Sequence, residues 1–128
     1  MRTGFLLIPF LIGVAPAARA QSADSLPPDV TAAMVEEGRR LFGGAAICAA
    51  CHGKDAKGVR GIGPDLTDDE WLHSDGSYDA LIRQIAEGVP SDKSMTGVMM
   101  PPRGGTNLTE IQVRAVAAYV WSLRNPRT

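Results

Sequence analysis

The sequence predicts an all-α domain of about four short helices. Three observations carry that expectation. Apolar residues recur at helical spacing in separate stretches, among them Val30, Met34, Val35, Leu41 and Phe42, and later Val113, Val116, Ala117, Val120 and Trp121. No segment alternates with the two-residue period of a half-buried strand. Helix start and stop residues bracket the periodic stretches, the clearest being the capping box Thr109-Glu110-Ile111-Gln112.

The chain holds only two cysteines, and both fall in Cys48-Ala49-Ala50-Cys51-His52. This is C-x-x-C-H, the pattern of covalent haem c attachment. Two thiols add across the two haem vinyl groups to give thioethers. A spacing of two residues lets one turn of chain span the porphyrin edge. The next residue, His52, then stands where its imidazole can bind the iron as proximal ligand. Three other readings of the pair have their own requirements. A redox dithiol of the thioredoxin type wants a surrounding βαβ pattern, and none is visible. A zinc site wants a second Cys or His pair, and the only other histidine is the distant His73. A simple disulfide is the remaining fate for two thiols in an oxidising compartment.

Composition fits one globular domain: 45% hydrophobic and 21% charged, with few aromatics at 5%. A bound haem would enlarge a small core, which helps a domain of this size. The N-terminus reads differently. Arg2 precedes an apolar run from Gly4 to Ala15, and Ala18-Arg19-Ala20 is an A-x-A cleavage pattern. The run is short for a membrane span. Residues 1–20 therefore read as a secretory signal peptide, with the mature chain starting at Gln21 in the periplasm; an uncleaved anchor is the alternative. Residues 21–28, with Pro27-Pro28, read as a disordered leader, and 29–128 as the domain. The formal charge of -1 becomes more acidic once Arg2 and Arg19 are removed, which argues against nucleic acid or an anionic membrane as partner.

Within the domain, a first helix is expected over 29–42, capped by Asp29 or Thr31 and ended by Gly43-Gly44. Gly38 inside it costs about 1 kcal/mol against Ala and so suggests a close helix crossing. A short turn then delivers Cys48. Glycines 53, 58, 61 and 63 punctuate a loop closed by Gly63-Pro64-Asp65-Leu66. Thr67 or Asp68 is expected to cap a short helical turn through Trp71 and Leu72. The next helix is expected from Ser77 to Glu87, with Leu81, Ile82 and Ile85 facing inward and Gly88 and Pro90 stopping it. Residues 89–107 form a long loop holding Met95, Met99, Met100, Pro101 and Pro102, and loops of that length are usually functional. The last helix runs to about Leu123.

The order of these parts resembles class I cytochrome c over residues 29–124: helix, C-x-x-C-H, Gly-rich loop with G-P-x-L, helix, M-P-P loop, C-terminal helix. The stretch from Gly63 to Leu72 is similar to the cytochrome c subunits of bacterial haem–copper terminal oxidases. The stretch Met100-Pro101-Pro102-Arg103-Gly104-Gly105 is similar to small periplasmic monohaem cytochromes. The resemblance implies the cytochrome c fold, one covalent haem and crossed terminal helices, with Gly38, Phe42 and Tyr119 at the crossing. It implies that Cys48 and Cys51 bind haem, that His52 is the proximal ligand, and that the Pro64 carbonyl accepts a hydrogen bond from it. Leu66 completes the G-P-x-L motif at the haem. The distal ligand is expected to be Met100, next to Pro101, with Met99 and then Met95 as alternatives; His73 reads as a surface residue. Trp71 and Tyr78 either donate near a haem propionate or pack.

The function so implied is a periplasmic electron carrier, not an enzyme, shuttling single electrons through a His/Met-ligated haem. Its expected partners are redox proteins: a dehydrogenase, a bc1-type complex or a terminal oxidase. Membrane contact would come only through such a partner or an uncleaved signal. Two rivals remain open. The chain is a fixed cytochrome subunit of a dehydrogenase or oxidase complex, or it is an open-site haem sensor or peroxidase-like enzyme.

Overall fold

The computed structural model describes residues 26–124. The signal-peptide reading and most of the leader therefore lie outside the described residues. Among the described residues four α-helices follow in chain order: α1 Ala32–Gly43, α2 Ala49–His52, α3 Tyr78–Glu87 and α4 Glu110–Leu123. A 3-10 turn, Pro102–Gly105, precedes α4. Among the described residues no strand forms, only two isolated bridges, Val59 with Gly63 and Val89 with Met100.

The helix ends follow local chemistry. Thr31, not Asp29, caps α1, its hydroxyl accepting from the Met34 amide at 3.2 Å, so the helix starts later than the sequence suggests. Ser77 caps α3 through the Ala80 amide at 3.3 Å. The capping box on α4 is complete: Gln112 N–H donates to Thr109 Oγ1, and Thr109 N–H donates to Gln112 Oε1 at 2.9 Å.

The terminal helices α1 and α4 cross at the centre of the molecule. A Cβ on Gly38 would lie 1.8 Å from the Ala115 carbonyl oxygen, so hydrogen is the only side chain the crossing admits. Phe42 meets Tyr119 edge to face beside it, with ring centroids 5.2 Å apart. Leu41, Phe42, Val113 and Val116 are the largest fully buried side chains. Helix α3 packs on α4 through Leu81 and Ile85, and the Tyr78 hydroxyl donates to the Arg114 carbonyl at 3.1 Å.

Two expectations need correction. Residues 67–72 do not form a helical turn. The Asp65 carboxylate accepts from the Thr67 amide at 2.7 Å and the Asp68 carboxylate from the Glu70 amide at 3.0 Å. Each Asp thereby bends the chain two residues on, which competes with helix. The 89–107 segment is also less irregular than expected, since the Val89–Met100 bridge and the 3-10 turn lie within it. The 65–76 segment is tied to the end of α4 by Arg124. Its guanidinium lies 4.3 Å from the Trp71 ring centroid and donates to Asp69 at 3.2 Å.

Candidate haem site

The C-x-x-C-H residues are helical, and the expected short turn delivers Cys48 to them. Chain from α1 turns at Gly44 to Ile47, and α2 then carries Ala49 to His52. The His52 amide donates to the Cys48 carbonyl at 3.0 Å. One helical turn therefore sets Cys48, Cys51 and His52 relative to one another. Both cysteines are half-buried, and no disulfide joins them. Burial pushes the Cys48 thiol up to about 11, so it stays protonated at neutral pH.

His52 is buried, and its Nδ1 lies 3.0 Å from the Pro64 carbonyl oxygen. A carbonyl can only accept, so Nδ1 carries the proton and Nε2 keeps its lone pair. Burial lowers the imidazole pKa below its ordinary value, and the hydrogen bond to Pro64 only partly opposes this. The side chain is thus neutral, oriented and held as one tautomer, which is the state a metal-ligating histidine needs. The tilted Phe42 ring, 6.4 Å from the imidazole centroid, packs beside it.

Pro64 is brought to His52 by a folded-back loop. Val59 and Gly63 pair across a tight turn, with the Val59 amide donating to the Gly63 carbonyl at 3.0 Å. The Leu66 amide donates to the Ala56 carbonyl at 2.8 Å, which closes the return. Leu66 packs against the core and lines the same cavity as His52.

That cavity collects the expected residues. Cys48, Cys51, His52, Pro64, Leu66 and Met100 all line it, along with apolar side chains of α3 and α4 such as Leu81, Ile85, Val116 and Val120. Met100 is half-buried and packs against the core, whereas Met99 is 52% exposed and Met95 is 72% exposed. Met95, Met99 and Trp71 also face the cavity, and His73 is an exposed residue at its edge. Tyr78 is not there: its hydroxyl is engaged by α4.

The donor set fits a haem. Two thiols stand one helical turn apart, next to a neutral imidazole with one free nitrogen, and a thioether sulfur lines the same apolar cavity. Sequence reasoning missed what holds Met100. Val89 and Met100 exchange both backbone hydrogen bonds at 2.8 Å, a pairing between residues eleven apart that no local pattern announces.

Comparisons with known proteins agree. The family described as cytochrome c matches residues 35–124. The chain is 39% identical over 104 residues to the cbb3-type cytochrome c oxidase subunit CcoP of Rubrivivax gelatinosus, covering 81% of this chain and 30% of that protein. It is 43% identical over 91 residues to the FixPc subunit of Rhizobium leguminosarum bv. viciae, covering 66% of this chain and 31% of that protein. The chain thus spans about a third of the length of these curated relatives. The crystal structure of cytochrome cL from Methylophaga aminisulfidivorans superposes with a TM-score of 0.55 at 29% identity, covering 71% of this chain and 53% of that one. Built on a C-x-x-C-H helix whose histidine is already oriented for iron, the chain belongs to the cytochrome c family, as a class I c-type cytochrome with covalent haem c.

Proposed function

We propose that the protein is an exported single-electron carrier and not an enzyme. Cys48 and Cys51 hold the haem by thioethers, His52 Nε2 is the proximal ligand and the Met100 sulfur is the distal one. The observation that carries this reading is the shared cavity of Cys48, Cys51, His52 and Met100. Haem iron supplies the Fe(III)/Fe(II) couple, and a His/Met ligand pair raises its potential. The chain's own part is to hold both ligands through redox change and to keep water out. Pro64 fixes the His52 ring through the Nδ1 hydrogen bond. The Val89–Met100 pairing fixes the backbone that bears the sulfur. Walls of Leu81, Ile85, Val116 and Val120 disfavour the extra charge of the ferric state.

The periplasm is the compartment proposed for this work, from the A-x-A pattern at Ala18-Arg19-Ala20. Among the described residues no helix is long and apolar enough to cross a membrane. A second reading is favoured by the CcoP and FixPc relatives: the domain works in a fixed partnership with a terminal oxidase instead of diffusing between partners.

The test is a denaturing-gel haem stain together with a ferric optical spectrum. A stained band and a thioether–iron charge-transfer band support the carrier. Replacing Cys48 and Cys51 with Ala should abolish the stain, and a well-folded haem-free double variant would sink the reading. Co-purification with an oxidase would favour the fixed partnership.

A further inference from the structure

Residues 65–75 carry five acids, Asp65, Asp68, Asp69, Glu70 and Asp75, and no lysine or arginine. Asp65, Glu70 and Trp71 of this stretch line the haem cavity. The stretch therefore sets negative charge beside the cofactor, and negative charge favours the ferric state.

Arg124 meets this stretch from the far end of the chain. It caps α4 one turn after Val120, which also lines the cavity. Its guanidinium lies 4.3 Å from the Trp71 ring centroid and donates to Asp69 at 3.2 Å. The Gly76 backbone lies against the same indole, since a Cβ there would overlap Trp71 Nε1. The ring is thus held in place, and the cation with it.

The surroundings of this guanidinium set it apart. The Arg124 side chain is 9% exposed, whereas that of Asp69 is fully exposed. Nη2 donates to Asp69, but Nη1 is buried and has no hydrogen-bond partner among the described residues. The other ion pairs among the described residues, Arg39–Glu36, Arg40–Glu37 and Arg114–Glu110, lie along exposed helix faces. Water screens the Asp69 carboxylate, so it offsets the buried cation only in part. A guanidinium keeps its proton even in such a site. Arg124 is therefore a fixed, incompletely neutralised positive charge in contact with a wall of the haem cavity.

We propose that Arg124 is a redox-tuning residue, whose buried charge favours ferrous haem and raises the midpoint potential. Reduction adds one electron to the iron, so the charge at the centre falls by one. A fixed cation nearby stabilises the less positive state, and it acts more strongly from a partly desolvated place than from the surface. The proposal deepens the electron-carrier reading and rests on it. It needs the covalent haem but no particular distal ligand.

The test is a redox titration of the holoprotein at low and at high salt, with the ferric optical spectrum recorded alongside. Arg124→Met and Arg124→Gln remove the charge and keep much of the length. Each should lower the midpoint potential, by a shift equivalent to roughly three- to tenfold in the equilibrium constant for reduction. The shift should persist at high salt, because a buried charge is little screened. Arg124→Lys keeps the charge and should stay closer to the parent. All variants should keep the parent's ferric spectrum. A parent-like potential in both neutral variants would overturn the proposal. If Arg124→Lys falls as far as Arg124→Met, the planar stack on Trp71 is responsible and the charge is not. A shift that vanishes at high salt would mark an ordinary surface charge and overturn the buried cation. Loss of haem or an altered ferric spectrum in both neutral variants would show that Arg124 holds the site together, and would overturn tuning as its role. A parent without a reversible one-electron couple would overturn the carrier reading and this proposal together, whereas a parent with the couple and unshifted variants would overturn this proposal alone.

Discussion

Gly63 lies directly on Cys51: a Cβ at Gly63 would stand 2.5 Å from the Cys51 carbonyl oxygen. This contact seats the Gly-rich loop on α2 and brings the next carbonyl, that of Pro64, to His52 at 3.0 Å. The obstacle is backbone, which cannot swing aside as a side chain would. Gly63→Ala should therefore push the loop off α2 and destabilise the holoprotein by about 1–3 kcal/mol, the usual cost of overpacking. Denaturant unfolding followed through the haem absorbance measures it. A midpoint equal to that of the parent would show that the loop can shift freely and that its seat does not matter.

The crossing of α1 and α4 makes a sharper case. Helix propensity alone predicts that Gly38→Ala stabilises α1 by about 1 kcal/mol. The Ala115 carbonyl, 1.8 Å from where the new Cβ would sit, predicts the opposite. We expect the clash to win and the variant to lose about 1–3 kcal/mol net, or to accumulate poorly as holoprotein. Thermal unfolding decides, and a raised melting temperature would mean the helices can separate without loss.

Met100 and Met99 are neighbours with different surroundings. Met100 packs on the core with its backbone paired to Val89, while Met99 is 52% exposed. Successive residues on extended chain point opposite ways, and a residue before proline is pushed toward extended geometry. Met100→Ala should remove the thioether–iron band, lower the midpoint potential and open ferrous iron to carbon monoxide. Met99→Ala should leave the ferric spectrum nearly unchanged. The reverse pattern would move the ligand to Met99. No change in either would favour an open-site haem protein or His73 as the ligand.

Export is tested on the product itself. The Ala18-Arg19-Ala20 pattern predicts a mature N-terminus at Gln21 and a periplasmic protein. Mass spectrometry of the fractionated protein reads both. A membrane-bound product that still begins at Met1 would show that the apolar run is an anchor.

How much was legible beforehand can be seen at particular residues. Cys48, Cys51 and His52 were readable because haem attachment chemistry fixes residue type and spacing within five positions of chain. The α4 capping box and the Ser77 cap were readable because a cap is made within three residues. Gly38 was readable as an oddity, an unfavourable residue in a helix, though its reason lay in another helix. Residues 67–72 were misread because Asp serves helix caps and Asx turns alike, and the residues alone do not choose between them.

The sequence by itself determined the cofactor, the all-α class and the approximate helix ends, since each rests on short-range chemistry. Tertiary structure decided the rest. Only the folded-back loop brings the Pro64 carbonyl to His52, twelve residues away, and only the fold pairs the Met100 backbone with Val89. Arg124 lies on Trp71, and Thr96 reaches Ile62 across thirty-four residues. These contacts depend on how distant segments pack. Side-chain periodicity reports which face of a helix is buried, but not which carbonyl or ring will be found opposite it.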